Sequence, residues 1–235
     1  MFPGNKRKAI TFSFDDGVTQ DRRLVQLFNK YGLKCTWNLN SLSLDFPGMI
    51  EYQGKTATHD KVSVYEVKAL YAGHEVAVHT TYHPDLVKES DESVIRNVED
   101  DRIFLEKLVG YPIVGMAYPF GTYDDRVVNL LKTKTKMQYS RTVWATYSFS
   151  KQKNDLLRFR PSVHCLDFEN VERLVDEFLK LNPKEDAVLY IWGHAYEFDF
   201  DNTWDWFEGI LKKLSFKEDI YYGTNKEVLL DSSDD

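Results

Sequence analysis

Ala9-Ile10-Thr11-Phe12-Ser13-Phe14-Asp15-Asp16-Gly17 is a short run of apolar and β-favouring residues that stops abruptly in two acids and a glycine. Such a run reads as a strand, and the residues after it, Asp21 to Tyr31, carry apolar side chains at helical period. The alternation continues along the chain. Lys34 to Asn40 precedes a helical segment at Ser63 to Ala72, Glu75 to Val78 precedes Glu92 to Val109, and Gly115 to Tyr118 precedes Asp125 to Lys132. Further strands are expected at Gln138 to Val143, Leu156 to Val163 and Ala187 to Trp192, with helices at Phe168 to Leu181 and Trp204 to Leu214. Strand after helix after strand is the pattern of parallel βαβ units, in an open sheet or closed into a barrel. Gly32, Gly73 and Gly110 stand where helix C-terminal glycines belong.

The chain has 235 residues, a length that suits one barrel-sized α/β domain. A single domain over 1–235 is expected, with a core from about 8 to 224 and a C-terminal tail over 225–235 that turns polar and acidic from Leu230. Ser41 to Lys61 is a long insertion between a strand and the next helix, and such stretches are more often functional than idle. Hydrophobic residues at 43% with charged residues at 29% exclude a disordered or low-complexity chain. No apolar stretch approaches the roughly 18 residues of a membrane span. The net charge of −7, with Lys and Arg scattered, argues against nucleic acid or an anionic membrane surface as partner and favours a neutral or cationic ligand. The start, Met1 to Ala9, lacks the apolar centre of a signal peptide, so a cytoplasmic protein is expected. Oligomeric state has no signal in the sequence. Cys35 and Cys165 form no CxxC pair and read as small buried hydrophobes.

Catalytic groups of parallel α/β folds collect where strands end. Here the strand ends carry Asp15-Asp16-Gly17, His79-Thr80-Thr81-Tyr82-His83, Tyr118-Pro119-Phe120-Gly121 and Gly193-His194. Two imidazoles four residues apart can meet one ion if the segment turns helically, and a carboxylate from another strand completes a two-His, one-carboxylate face with an open side for water. His79, His83 and Asp16 fit that face. Adjacent carboxylates on an extended backbone point to opposite sides, so Asp15 can face substrate while Asp16 binds the ion. The plainer reading of Asp-Asp-Gly is a helix-capping turn, but two buried like charges are costly without a compensating cation. His194, facing the same mouth, is available as a proton donor.

These residues resemble the polysaccharide deacetylases with the NodB homology domain, carbohydrate esterase family 4. The likeness rests on Thr11-Phe12-Ser13-Phe14-Asp15-Asp16-Gly17, His79-Thr80-Thr81-Tyr82-His83, Ala117-Tyr118-Pro119-Phe120-Gly121 and Gly193-His194, in the family's order. It implies a distorted (β/α) barrel of about seven parallel strands and hydrolysis of N-acetyl groups on a carbohydrate substrate. It also implies Asp15 as general base, Asp16, His79 and His83 as ligands of a divalent ion, most plausibly zinc with cobalt, manganese or nickel as alternatives, and His194 as general acid. Tyr118, Pro119 and Phe120 would border the substrate, with the Phe120 N–H near the oxyanion. The family's third motif carries an arginine where this chain has Ala117; Arg158 and Arg160 are candidate substitutes, although each also reads as a surface charge. Asp155, Asp167, Glu197 and Asp199 are candidate partners for His194, and His164 could line the mouth. Among Tyr82, Trp144, Tyr147 and Trp192, Tyr82 is the favoured sugar-stacking ring. A hydrolase of the same fold acting on a non-sugar amide, and a catalytically silent carbohydrate-binding protein, stand as alternatives.

Overall fold

The alternation in the opening strand has a direct structural meaning in the computed structural model, which describes residues 1–230. Strand β1 (Lys8–Asp15) is buried throughout, and its large residues face one way and its small or polar residues the other. Phe12 and Phe14 pack against Phe28 and Phe207, with Phe198 also touching Phe14. Burying each such side chain contributes about 1.5–3 kcal/mol. On the opposite face Thr11 donates to Asn225 and Ser13 accepts from the Asn38 amide, which also donates to Asp15.

The chain continues through α1 (Asp21–Lys30), β2 (Cys35–Leu39), the hairpin β3 (Met49–Tyr52) and β4 (Lys55–Thr58), α2 (Val67–Leu70), β5 (Glu75–Val78) and α3 (Asp91–Val109). Then come β6 (Gly115–Ala117), α4 (Asp125–Lys134), β7 (Tyr139–Arg141), β8 (Val163–His164), α5 (Phe168–Lys180), β9 (Ala187–His194), α6 (Glu197–Phe200), α7 (Trp204–Leu214), β10 (Ile220–Tyr222) and α8 (Asn225–Leu229). Seven parallel strands run in the order β7-β6-β5-β2-β1-β9-β8, with β10 also pairing with the start of β1. The sheet curls into the distorted (β/α) barrel that the sequence led us to expect. Between its open edges, Phe159 donates its N–H to Ser140 and Ser162 donates to Tyr190, so an irregular segment spans the gap. Pro161 has no N–H to offer a ladder, which explains why the strand expected over Leu156 to Val163 shrinks to Val163–His164.

Two other expectations change. The helix expected over Ser63 to Ala72 is one turn long, because the chain before it stays extended: Val62 donates to Gly17, and the Ser63 N–H is taken by the Glu66 carboxylate. The segment at 225–229, expected as tail, is instead helix α8, with Asn225 and Val228 fully buried at the bottom of the barrel. Leu230 follows it, and 231–235 lie outside the described residues. Both cysteines are buried and free. No helix among the described residues is long and apolar enough to cross a membrane.

Candidate active site

Strand register sets the site. Asp15 at the end of β1 lies level with Asn38 on β2 and His194 on β9. Asp16 then leaves the extended conformation at φ +80°, and Gly17 follows at φ +63°. The left-handed backbone favours glycine at this position, where a Cβ would also press on the tip of the Leu39 side chain at 2.9 Å. Because of this bend the two acids do not point apart as an extended backbone predicts. Both approach His79 Nε2, Asp15 at 3.9 Å and Asp16 at 3.8 Å.

The His79 to His83 segment is not helical. It turns through left-handed residues, Thr80 at φ +68° and His83 at φ +64°, with the His83 N–H donated to the Thr80 hydroxyl. The two rings end 4.8 Å apart. His79 Nδ1 lies 2.8 Å from the Ala117 carbonyl, and a carbonyl can only accept, so Nδ1 carries the proton and Nε2 keeps its lone pair facing Asp16. His83 Nε2 is 4.0 Å from the same Asp16 oxygen. From α3, Asp101 accepts the N–H groups of His79 and Ser41 and so fastens this turn to the start of the insertion.

Ligand atoms of Asp16, His79 and His83 all lie within 4.8 Å of one another. Burial lowers the basicity of His79 and, together with the neighbouring imidazole, brings His83 down to about 4, so both rings are neutral at pH 7. Burial would raise Asp16, yet Lys61 and a hydrogen bond from His59 hold it well below the usual carboxylate range. Two neutral imidazoles and one carboxylate, with lone pairs converging and no proton between them, is a donor set that fits a divalent cation.

The insertion supplies groups that the sequence reading did not single out. His59 Nε2 sits 3.0 Å from Asp16 Oδ2, and Lys61 donates to the Asp16 carbonyl at 2.9 Å. Asp15 has its own cation. Arg141, fully buried at the end of β7, binds Asp15 Oδ2 and stacks its guanidinium 4.1 Å from the Trp192 ring centre. Burial pushes Asp15 upward, but Arg141, His79 and His194 outweigh it and hold the carboxyl below its ordinary value. Arg141 is the β-ladder partner of Ala117, so a cation sits one strand over from the position where the resemblance expects it. Arg158 and Arg160 do not take that part: Arg158 pairs with Asp125 and Asp155, and Arg160 contacts the Trp144 and Ala145 carbonyls.

Glu197 partners His194. Its Oε1 lies 3.2 Å from His194 Nδ1, while its Oε2 accepts the His194 backbone N–H and approaches His164 Nε2 at 3.3 Å. Burial works against a charged imidazole, but Glu197 overrides it and raises His194 to about 9; the two histidines correspondingly pull Glu197 below the usual range. Asp155, Asp167 and Asp199 are engaged elsewhere, with Arg158, Asn170 and Trp204 respectively. Cys165, His164 and Glu197 also cluster, but His164 Nδ1 accepts the Leu166 N–H, which directs its proton at Glu197.

Tyr118, Phe120, Trp192 and His194 line the same cavity as the carboxylates and histidines. Tyr118 anchors its hydroxyl on the Leu157 carbonyl, Pro119 begins the tight turn, and Phe120 at φ +57° projects its ring edge-on to His83. Tyr82 lies outside this cavity, on a separate shallow one with Arg96 and Phe104, so the geometry does not place it as a stacking ring here.

The polysaccharide deacetylase profile matches residues 3–140, more than half of the sequence, and the chain belongs to that family. Among curated proteins no sequence match is found. Similar solved structures include a polysaccharide deacetylase of Bacillus cereus, with TM-score 0.51 and 23% identity over 63% of this chain and 44% of that one. The peptidoglycan deacetylase PdaC of Bacillus subtilis matches at TM-score 0.56 and 18% identity over 95% and 90%. A pseudoenzyme of carbohydrate esterase family 4 from Bacillus anthracis matches at TM-score 0.56 and 16% identity over 96% and 66%. At these identities the likeness is one of fold, and the chain spans less than half the length of the Bacillus cereus protein. The family generally uses a divalent metal.

Proposed function

We propose that this chain is a divalent-metal-dependent hydrolase that removes N-acetyl groups from a carbohydrate of the N-acetylglucosamine type. The observation that carries the reading is the convergence of Asp16, His79 and His83 beside a buried acid, Asp15, with a charged imidazole, His194, only 3.8 Å from that acid. An ion held by the three ligands, zinc in the first instance, would lower the pKa of a bound water toward about 7 and polarise the acyl carbonyl. Asp15, fixed by Arg141 and Asn38, accepts the proton of the attacking water. His194 carries a proton at neutral pH because of Glu197, and gives it to the nitrogen as the C–N bond breaks. The backbone N–H of Phe120 is assigned to the developing oxyanion. Acetate and an amino sugar leave.

The presence of a pseudoenzyme among proteins of this fold makes the test important. Zinc-loaded protein is expected to release acetate from N-acetylglucosamine oligomers, to stop on chelation and to recover on metal addition. Asp15→Asn should keep its metal by elemental analysis while turnover falls by about 10²–10⁴. His79→Ala should lose both. Undiminished turnover in Asp15→Asn would remove the base from the scheme, and saccharide binding without turnover would favour the silent binding protein.

A further inference from the structure

Six tyrosines among the described residues are less than a tenth exposed, and five of their hydroxyls are hydrogen-bonded inside the protein. Tyr31 donates to Glu208, Tyr71 to Asp21, Tyr118 to the Leu157 carbonyl and Tyr139 to Glu75, while Tyr190 accepts from Asn225. The sixth, Tyr196, is 6% exposed, and its hydroxyl makes no hydrogen bond with any described residue. A buried phenol almost always finds a partner, so an unpaired one calls for an explanation. Its position supplies one. Tyr196 lines the cavity of about 730 Å³ that holds Asp15, Asp16, His79 and His83, and also the adjoining cavity of about 790 Å³. Its ring stacks on the His194 imidazole, with centres 5.1 Å apart, and meets the His59 ring edge-on at 5.0 Å. His194 is the proton donor, and His59 holds Asp16 Oδ2, so this one ring borders both the acid and the support of the ion's carboxylate. Burial, with Asp16, Glu197 and Asp15 nearby, pushes the phenol far above its ordinary range; at neutral pH it keeps its proton and is available as a donor.

The missing partner comes with the substrate. In the hydrolase reading above, on which this inference rests, the scissile nitrogen faces His194 and the acyl oxygen faces the ligands of the ion. The lone pair of an amide nitrogen is delocalised into the carbonyl, so the acyl oxygen is the one acceptor that this group offers to a phenol. We propose that Tyr196 is a further catalytic residue, whose hydroxyl donates a hydrogen bond to the acyl oxygen and stabilises the charge that develops there. As the water oxygen joins the acyl carbon and gives its proton to Asp15, the carbonyl π pair moves onto that oxygen, held by the Phe120 N–H and the Tyr196 O–H. The pair returns as the C–N bond breaks and His194 protonates the nitrogen. Tyr196 keeps its proton throughout. Phe120 stands beside His83 and Tyr196 beside His194 and His59, so the two donors come from separate elements.

Tyr196→Phe removes the hydroxyl alone and keeps both ring contacts. In the zinc-loaded full chain acting on N-acetylglucosamine oligomers, kcat is expected to fall about 10²-fold with KM little changed, because a contact that strengthens as charge develops acts on the transition state. The melting temperature should hold or rise, since no hydrogen bond within the protein is lost. A methylphosphonamidate of glucosamine, whose tetrahedral anion copies the intermediate, should bind the variant about tenfold more weakly in calorimetry. An unchanged kcat, a loss confined to KM, or equal binding of the phosphonamidate overturns the assignment, and a lowered melting temperature marks the hydroxyl as structural and overturns it as well. Weaker binding of the phosphonamidate to the variant, with no acetate released by either protein, supports the contact and overturns the hydrolase reading instead.

Discussion

Arg141 and Asp15 are 1% and 2% exposed, and in so dry a place neither charge is tolerable without the other. Removing one leaves its partner buried and unpaired. Arg141→Met is therefore expected to cost about 3–5 kcal/mol of stability, read as a lower midpoint in urea unfolding, and to abolish turnover. Arg141→Lys should recover only part of either, because an ammonium lacks the planar fork that binds Asp15 and stacks on Trp192. An unchanged midpoint in Arg141→Met would show that the pair is not the stabilising element described here. His194 gives a pH prediction of definite sign. Its folded pKa, about 9, is above the ordinary 6.5, so the stability contributed by its pairing with Glu197 is complete below 6.5 and is lost as pH rises through 9. The alkaline limb of kcat/KM should fall near pH 9 and move toward 6.5 in Glu197→Gln. A limb that stays in place would separate Glu197 from the acid's protonation. The motif residues at strand ends were legible from the sequence, but Arg141 was not, since it lies inside an expected strand and the ladder pairing it with Ala117 is a property of the folded sheet.

The insertion of 41–61 illustrates what periodicity leaves out. Its hairpin has a Gln53-Gly54 turn with both residues at positive φ, the geometry of a tight two-residue connection, yet its strands are exposed and their composition is unremarkable beside the core strands. What the sequence conveyed was only a long excursion. What the folded element does is deliver His59 and Lys61 to Asp16 and place Leu42 and Phe46 on the cavity wall. The long helices were legible because their caps are chemical: Ser90 accepts the Ser93 N–H at the start of α3, and Gly110 closes it at φ +90°. His59 holds the outer oxygen of Asp16, so it should orient the carboxylate toward the histidines. His59→Ala is expected to weaken zinc binding by about 10–100-fold in a chelator competition, with the melting temperature little changed because the residue sits in a surface element. Wild-type zinc affinity in that variant would reduce the contact to a surface pairing.

At the scale of the whole molecule, one end of the barrel is chemistry and the other is a polar seal. Glu75, buried at the start of β5, receives the Thr36 and Tyr139 hydroxyls and the Lys226 N–H, while Asn225 donates to Tyr190 and receives Thr11. Helix α8 thus closes the interior with hydrogen bonds where a sheet of this curvature leaves polar groups pointing inward. The sequence presented 225–229 as the approach to an acidic terminus; the capping box between Thr224 and Glu227 marks the start of a helix there, but its sealing role was invisible because the partners of the seal, Thr11 and Thr36 among them, are distant along the chain. Burial of Val228 and Leu229 adds about 1.5–3 kcal/mol each to this seal. A chain ending at Gly223 should consequently lose several kcal/mol in urea unfolding, and the loss should exceed that of Val228→Ala alone, because the truncation also strips the Glu75 carboxylate of the Lys226 N–H and the Tyr190 hydroxyl of the N–H that the Asn225 side-chain amide donates to it. If the truncated and complete chains unfold at the same urea concentration, the barrel is sealed by its own strands and α8 is an appendage.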